Sequence, residues 1–430
     1  MSRLLLPSSF EFGCKTPETF ATKKVSIEYS LNAFLCCFLN WAEKAIAMSL
    51  QLMFDPVQVE DTLDFEHYSF INQRFRKNLD TFPQLDGLDM AIVGVTEDRG
   101  NPENEGAHSG ADAIRRALYG LRASHVRYNV ADLGNLRSGE TLEDSSLRLK
   151  EVVRTLLEKG IVPIIIGGTH DMGLSVVRAF EELERKFVFL NVDSRSDTEP
   201  NASQGMAQHH ISRMLTRHKE ILNKYIHLGY QTYLVDENIL AAIDQHHYYK
   251  VRLGELRENF RSVEPMVRYA DFLSFDISAI RMSEAPANPK AFPYGLSGEE
   301  ACQIAWYAGC SEKMSVFFLS EMNPGLDYRD ITASTLATMV WYFIEGYYNR
   351  NDELSFSPAE TSRFSVLVPK LSDSPVEFYQ GIVSGKWWMK IPAKTVEDLF
   401  EMLPCSEEDY KMAAAGEIPG RWINQLFNLS

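Results

Sequence analysis

The chain has 430 residues, of which 45% are hydrophobic and 24% are charged, and its formal net charge is −16. This amount of apolar material is enough for the core of one large domain or of two ordinary ones. Because binding to phosphates depends on Lys and Arg, so acidic a chain is not expected to bind nucleic acid or anionic membranes.

Residues 1–47 differ from the rest of the chain and allow three interpretations. Their apolar run at 31–38 is too short to span a bilayer. The sequence Ala45-Ile46-Ala47 is similar to a signal-peptide cleavage site, whereas Met48 would serve as a natural start. We favour a disordered tail or start-site artefact over a signal peptide or a short docking helix. The six cysteines show no CxxC spacing, which indicates no zinc knuckle or disulfide framework and favours a cytoplasmic location.

From about residue 88, strand-like and helix-like patterns alternate along the chain. The predicted strands are apolar runs at 89–95, 126–131, 161–168, 187–192, 225–229, 271–276 and 315–320. The predicted helices have apolar residues at helical spacing, at 111–120, 142–159, 172–185, 206–224, 234–244, 297–309 and 331–349. This alternation predicts an α/β fold, with helices on both faces of a mainly parallel sheet in three αβα layers.

Residues 351–430 break this rhythm and are rich in aromatic side chains, including Trp387 and Trp388. We expect a C-terminal extension that packs on the domain or on a neighbouring subunit. The predicted organisation therefore has three parts, 1–47, 48–350 and 351–430.

Polar residues directly follow four of the predicted strands. They are His170, Asp193 with Asp197, Asp276, and Glu321. Ligands of parallel sheets bind at the carboxyl ends of the strands, and several carboxylates in one cleft repel each other unless a cation compensates them. Imidazole and carboxylate ligands together suit Mn²⁺, Fe²⁺ or Zn²⁺. Taken singly, each residue is more simply a helix cap or a core histidine, so the metal interpretation depends on their recurrence at successive strand ends.

The order and spacing of these residues resemble the ureohydrolase superfamily of arginases, agmatinases and formimidoylglutamases. The family motifs GGDHS, DAHxD and SxDxDxxDP correspond here to GGTHD at 167–171, DSRSD at 193–197 and SFDISAIRM at 274–282. The resemblance covers about residues 88–349, and the C-terminal segment is most similar to the formimidoylglutamase branch. It implies an arginase-like fold and a homo-oligomeric assembly.

The resemblance implies that only half of the family's binuclear manganese site is preserved. The ligands of one ion correspond to His170, Asp193, Asp197 and Asp276. The two ligands unique to the other ion are replaced by Arg195 and Ser278. A guanidinium has no lone pair to offer a metal, so at most one manganese ion is expected. We expect Arg195 instead to form an ion pair with Asp193 and Asp276.

Two further roles follow from the resemblance. Glu321 corresponds to the residue that contacts the substrate guanidinium, and His210 corresponds by ungapped spacing to a proton carrier, with His209 as the alternative. Thr169 replaces the Asp of GGDHS, and we expect this change to loosen the orientation of His170.

These observations leave three functional hypotheses open. The first is metal-dependent hydrolysis of the C–N bond of a linear amidine or guanidine, with a formiminoglutamate-like or arginine-like substrate. The second is a catalytically inactive protein of the same fold, serving in assembly or ligand binding. The third is hydrolysis of a different substrate, in which Arg195 binds an anionic group. The sequence contains no GxSxG elbow, phosphate-binding GxxxxGK[ST] loop or GxGxxG motif that would favour another chemistry.

Overall fold

A computed structural model of the chain describes residues 50–58, 69–198, 205–246, 248–351, 353–368, 375–392 and 400–420. The predictions for residues 1–47 lie outside this part. The chain divides into two compact units, Met1–Leu52 and Met53–Ser430, and every element described below belongs to the second. Within the described residues, no helix is both long enough and apolar enough to span a bilayer.

Ten strands form one large sheet. In chain order they are β1 (Phe54–Asp55), β2 (Arg76–Lys77), β3 (Met90–Val95), β4 (Val130–Leu136), β5 (Val162–Ile166), β6 (Phe187–Val192), β7 (Leu222–Tyr230), β8 (Tyr249–Arg252), β9 (Phe272–Asp276) and β10 (Val316–Ser320). Their order in the sheet is β1-β4-β3-β5-β10-β9-β6-β7-β8, and β2 also pairs with β4. Apart from the antiparallel pair β1–β4, these pairings are parallel, which confirms the predicted mainly parallel sheet.

The helices pack around this sheet in the predicted αβα arrangement. The α-helices are α1 (Gly110–Tyr119), α2 (Leu142–Glu158), α3 (Gly173–Glu182), α4 (His210–Arg217), α5 (Glu237–Gln245), α6 (Leu253–Glu258), α7 (Glu264–Tyr269), α8 (Gly298–Gly309), α9 (Ile331–Tyr347) and α10 (Glu407–Ala414). Short 3-10 turns include His170–Met172, Met206–Gln208 and Ile277–Ala279. Because helices cover both faces, every residue of β3, β5, β6, β9 and β10 is buried.

Three predicted elements differ clearly from the observed ones. The helix predicted at 206–224 ends at Arg217, and the strand predicted at 225–229 begins earlier, at Leu222. The strand predicted at 126–131 runs instead from Val130 to Leu136 and contains the buried polar residues Asp132 and Asn135. The pairing of Asp132 with Arg115 permits this burial and is not visible in a local hydrophobic pattern.

The C-terminal extension forms a second, antiparallel sheet. Its strands are β11 (Thr361–Val366), β12 (Val376–Gly381), β13 (Trp387–Pro392) and β14 (Phe400–Cys405), paired in that order. Arg268 joins helix α7 to this second sheet, because its Nη2 atom donates to the carbonyls of Trp387 at 3.0 Å and Cys405 at 3.3 Å. The same guanidinium lies 4.4 Å from the centroid of the Trp388 ring.

Candidate metal centre

The strands that carry the candidate residues are neighbours in the large sheet. β5, β10, β9 and β6 are consecutive in the sheet order, and all their pairings are parallel. Their carboxyl ends therefore meet at one edge, where ligands of open α/β sheets bind. His170 follows β5, Asp193 and Asp197 follow β6, Asp276 ends β9 and Glu321 follows β10. The topology thus brings together residues that lie up to 151 positions apart in the chain.

Four of these side chains form a compact cluster. His170, Asp193, Asp197 and Asp276 are all buried, and each offers one ligand atom within 4.8 Å of the others. Nδ1 of His170 lies 2.8 Å from a carboxylate oxygen of Asp197, 3.5 Å from one of Asp276 and 3.9 Å from one of Asp193. These are the four residues that the sequence resemblance assigns to one metal ion.

The electrostatics of the cluster favour a cation. Burial, together with the neighbouring carboxylates, raises the pKa of Asp193 and of Asp197 well above the usual range for an aspartate. One oxygen of Asp193, Oδ2, is buried and has no hydrogen-bond partner in the part of the chain that the structure describes. A divalent cation would satisfy this oxygen and remove the repulsion between the carboxylates. The donor set and its spacing therefore fit one ion of the Mn²⁺, Fe²⁺ or Zn²⁺ class.

His170 is held in place from two directions. Its Nε2 atom lies 3.0 Å from Oγ of Ser274, and its backbone N–H donates to Glu321 at 2.8 Å. The tautomer that donates from Nε2 to Ser274 leaves the lone pair of Nδ1 facing the three carboxylates. Thr169 donates to Asp171 instead. The loosening of His170 expected from Thr169 stays a prediction, and the contacts with Ser274 and Glu321 are those that would limit it.

Arg195 and Ser278 occupy different surroundings. Ser278 is buried and its hydroxyl lies 3.4 Å from an oxygen of Asp193. Arg195 is only partly buried, and its guanidinium contacts Oγ of the neighbouring Ser194 at 3.3 Å. Among the described residues, no carboxylate oxygen lies within 4.0 Å of that guanidinium. The expected ion pair of Arg195 with Asp193 and Asp276 is therefore wrong, and the Arg195 side chain instead lines the two cavities described below.

His210, and not His209, reaches the cluster. The ring centroids of His170 and His210 are 4.4 Å apart, and His170, Asp197 and His210 form a second group of ligand atoms within 4.8 Å. His210 Nδ1 is 2.7 Å from the carbonyl of Ala207, while Nε2 is buried and has no hydrogen-bond partner among the described residues. Burial lowers the pKa of His210 well below its usual value, so the imidazole is neutral near pH 7.

Glu321 lies beside the cluster with both carboxylate oxygens engaged. One oxygen accepts the His170 backbone N–H, and the other accepts the side-chain amides of Asn101 at 2.9 Å and Asn104 at 2.8 Å. Burial is the main cause that raises the pKa of Glu321 to about 7. The backbone of Glu321 is in the left-handed region with φ of 71°, as is that of Asp197 with φ of 46°. Such conformations are unfavourable for residues other than glycine and concentrate at functional sites.

Several supporting residues were not predicted. Asn101 and Asn104 lie in the polar loop after β3, and the position of this loop at the end of a strand was the only available signal for them. His227 of β7 lies 3.1 Å from the backbone carbonyl of Asp193 through Nε2, and it is fully buried. No local pattern distinguishes His227 from an ordinary core histidine.

Two adjoining cavities connect the cluster to the surface. The inner one has a volume of about 10 Å³ and is lined by residues that include Asp193, Asp276, Ser278 and Glu321. This volume accommodates a single water molecule or ion. The outer one, of about 230 Å³, is lined by residues that include Glu103, Ser196 and Leu234. Four residues line both cavities: Arg195, Asp197, Gln208 and Lys290.

Comparisons with known proteins match the same part of the chain. The model of the arginase family matches residues 88–345. An agmatinase of Neisseria meningitidis is 26% identical over 299 residues, which cover 66% of this chain and 93% of that protein. A formimidoylglutamase of Bacillus subtilis is 23% identical over 305 residues, which cover 65% of this chain and 94% of that protein. The crystal structure of Trypanosoma cruzi formiminoglutamase with Mn²⁺ has the same fold, with a TM-score of 0.58 and 24% identity over 64% of this chain and 98% of that one.

Proposed function

The chain belongs to the arginase family, and from this premise we propose that it hydrolyses the C–N bond of a linear amidine or guanidine at a site with one metal ion. The observation that carries the proposal is the cluster of four buried ligands, one imidazole and three carboxylates, at the carboxyl edge of the sheet. Three carboxylates so close together are difficult to explain in a metal-free core, because burial penalises each of them.

The roles of individual residues follow from their contacts. We infer that His170, Asp193, Asp197 and Asp276 hold the ion, for which manganese is the expected metal. A bound divalent cation lowers the pKa of a coordinated water and so supplies a nucleophile at neutral pH. His210 is placed to transfer a proton, because its ring lies beside that of His170 and its Nε2 atom has no partner among the described residues. Glu321 positions His170 through the backbone N–H, and its Oε1 atom, which accepts that one bond among the described residues, keeps a lone pair for the substrate.

Two residues argue for a mononuclear site. Arg195 and Ser278 stand where the family resemblance implies the two ligands unique to a second ion. Neither a guanidinium nor a serine hydroxyl replaces a metal-bound imidazole or carboxylate. The inner cavity of about 10 Å³ has room for one ion or one water molecule, which agrees with this proposal.

Turnover assays test the proposal. The full-length chain, purified with saturating Mn²⁺, would be assayed for release of formamide from formimidoylglutamate and of urea from arginine and agmatine. We expect one of these substrates to be hydrolysed and Asp197→Asn to reduce the rate about 100-fold or more, because a metal ligand is lost. Asp244→Asn, which changes an exposed carboxylate paired with Lys250, is the matched control and should leave the rate unchanged.

A catalytically inactive protein that keeps the fold for assembly or ligand binding is the second candidate. The replacement of both ligands unique to the second ion favours it, because the family's hydrolysis uses a hydroxide that bridges two ions. Absence of turnover on all three substrates at saturating Mn²⁺ would decide for this candidate and against the hydrolase. A homo-oligomeric assembly is also proposed from the resemblance, and a cytoplasmic location from the cysteine spacing. Size-exclusion chromatography with light scattering would measure the first of these.

A further inference from the structure

The outer cavity is a polar basin whose described lining contains two cations and two carboxylates. Its volume is about 230 Å³, and its lining includes the cations Arg195 and Lys290 and the carboxylates of Glu103 and Asp197. Asp197 is directed into the metal cluster, where its carboxylate lies 2.8 Å from Nδ1 of His170. Among the described lining residues, Glu103 is the remaining carboxylate that faces the two cations.

Glu103 compensates one of these cations and not the other. Its carboxylate lies 3.6 Å from Nζ of Lys290 and also accepts a hydrogen bond from Gln208 at 3.0 Å. The guanidinium of Arg195 contacts Oγ of Ser194 at 3.3 Å, and among the described residues it has no carboxylate within 4.0 Å. A guanidinium has five N–H donors, so most of those of Arg195 remain available for a ligand.

Arg195 and Lys290 also line the inner cavity beside the metal cluster. A molecule whose reacting carbon lies at the cluster can therefore extend into the basin and meet both cations. Arginine suits a carboxylate in particular, because its planar fork of donors matches the two carboxylate oxygens.

We propose that this basin binds a carboxylate of the substrate, with Arg195 as the main contact and Lys290 as the second cation. The substrate is then an amidine or guanidine that also carries a carboxylate, such as an amino acid derivative, and not the corresponding amine. The identity of the reacting group rests on the proposed function, whereas the anion site rests on the basin alone. Arg195 thus selects the substrate at a position where the family resemblance implies a metal ligand.

A pair of probes that differ only in a carboxylate tests the proposal. Arginine and agmatine carry the same guanidine, and only arginine has the carboxylate. Isothermal titration calorimetry on the Mn²⁺-loaded full-length chain should show arginine binding at least about tenfold more tightly, because a charge-assisted bidentate contact is added. Glutarate, a dicarboxylate without a guanidine, should bind as well and should weaken as the salt concentration rises.

Variants identify the residue responsible. Arg195→Gln should bring the ratio of arginine to agmatine affinity close to one and abolish glutarate binding, and Lys290→Gln should reduce the ratio by a smaller factor, about threefold. Arg261→Gln changes an exposed arginine outside the basin and should leave the ratio intact. The fold of each variant is checked by its melting temperature. Among the described residues, the Arg195 side chain makes one hydrogen bond, to Ser194, so its replacement should leave the fold intact.

The outcomes separate this inference from the proposed function. Turnover with an affinity ratio near one in the wild-type chain would overturn the anion site while the hydrolase stands. Glutarate binding that depends on Arg195, without turnover of any substrate, would support the anion site while the hydrolase fails. A ratio that persists in Arg195→Gln, or failure of all three probes to bind, would overturn the anion site as well.

Discussion

Glu321 has two possible roles, substrate binding and support of the residues around the metal cluster, and one substitution separates them. The sequence resemblance assigns it to substrate binding, yet its oxygens accept hydrogen bonds from His170, Asn101 and Asn104. Glu321→Gln replaces one acceptor oxygen with a donor. We expect it to lower the free energy of unfolding by about 1–3 kcal/mol, because a buried donor then faces another donor. Urea denaturation measures this loss, and an unchanged stability with a raised KM would show that Glu321 only binds substrate.

The pH dependence of stability tests the charge of the cluster. Burial and neighbouring carboxylates raise the pKa of Asp193, so in metal-free protein the native state binds more protons than the unfolded chain above the usual aspartate pKa. This group therefore stabilises the native state less as the pH rises through its raised pKa. Asp193→Asn removes the effect.

In EDTA, the free energy of unfolding of Asp193→Asn should exceed that of the wild type by a margin that grows with pH, to about 1–2 kcal/mol near pH 8. Saturating Mn²⁺ should reverse the order, because only the wild-type chain then keeps all four ligands. Urea denaturation curves between about pH 5 and pH 8 give both quantities. A margin that shrinks with rising pH in EDTA would contradict the account, and Asp244→Asn serves as the control.

For individual residues, the sequence predicted which side chains form the metal cluster, but it did not predict which side chains contact one another around it. The order of His170, Asp193, Asp197 and Asp276 at strand ends was sufficient to predict that they meet, because parallel strands end at one edge. The partner of Arg195 was predicted wrongly. The direction of a long side chain depends on the cavity around it, and that cavity is formed by residues distant in the chain, such as Gln208 and Lys290.

The contact between α1 and β4 is the clearest case in which one ion pair joins two elements. Arg115 of α1 and Asp132 of β4 are both fully buried, with Nε donating at 2.8 Å and Nη2 at 3.1 Å. Tyr119 and the backbone of Gly134 also donate to the Asp132 carboxylate, at 2.9 Å and 3.0 Å. Arg115 also pairs with Asp112 at 2.7 Å, so it keeps an anionic partner without Asp132, whereas Asp132 loses its buried guanidinium partner when Arg115 is removed.

A double-mutant cycle tests this link. Arg115→Met should lower the free energy of unfolding by about 3–5 kcal/mol, because it leaves the buried Asp132 charge unpaired. Arg115→Met combined with Asp132→Asn should cost less than Arg115→Met alone, because the buried negative charge is removed, the asparagine oxygen can still accept from Gly134, and its amide can donate to the Tyr119 hydroxyl oxygen. Additive effects of the two substitutions in guanidinium denaturation would show that the pair is not coupled.

At the scale of elements, the sequence predicted regular hydrophobic strands well and polar ones poorly. The strand at 187–192 was predicted at its observed bounds, since all six of its residues are buried. β4 was misplaced because Asp132 and Asn135 resemble loop residues until Arg115 is taken into account. The helix predicted at 206–224 was too long because the apolar residues near Leu222 fit a helical spacing and a strand equally well.

For the whole molecule, the alternation of strands and helices predicted the mainly parallel sheet and the position of the site. It did not predict the second sheet, because residues 351–430 lack such an alternation and their short strands are joined to the rest of the chain through distant contacts such as that of Arg268 with Trp388. The family comparisons cover residues 88–345 and leave this second sheet outside the matched region.

The manganese content of the purified full-length chain tests the central claim most directly. After dialysis against Mn²⁺ and removal of unbound ions, the manganese content measured by elemental mass spectrometry should be about one ion per wild-type chain. His170→Ala should lose this ion, and Arg195→His with Ser278→Asp should raise the content toward two, because both missing ligands are restored. A wild-type chain that holds two ions, or none at saturating Mn²⁺, would contradict a mononuclear site at His170, Asp193, Asp197 and Asp276.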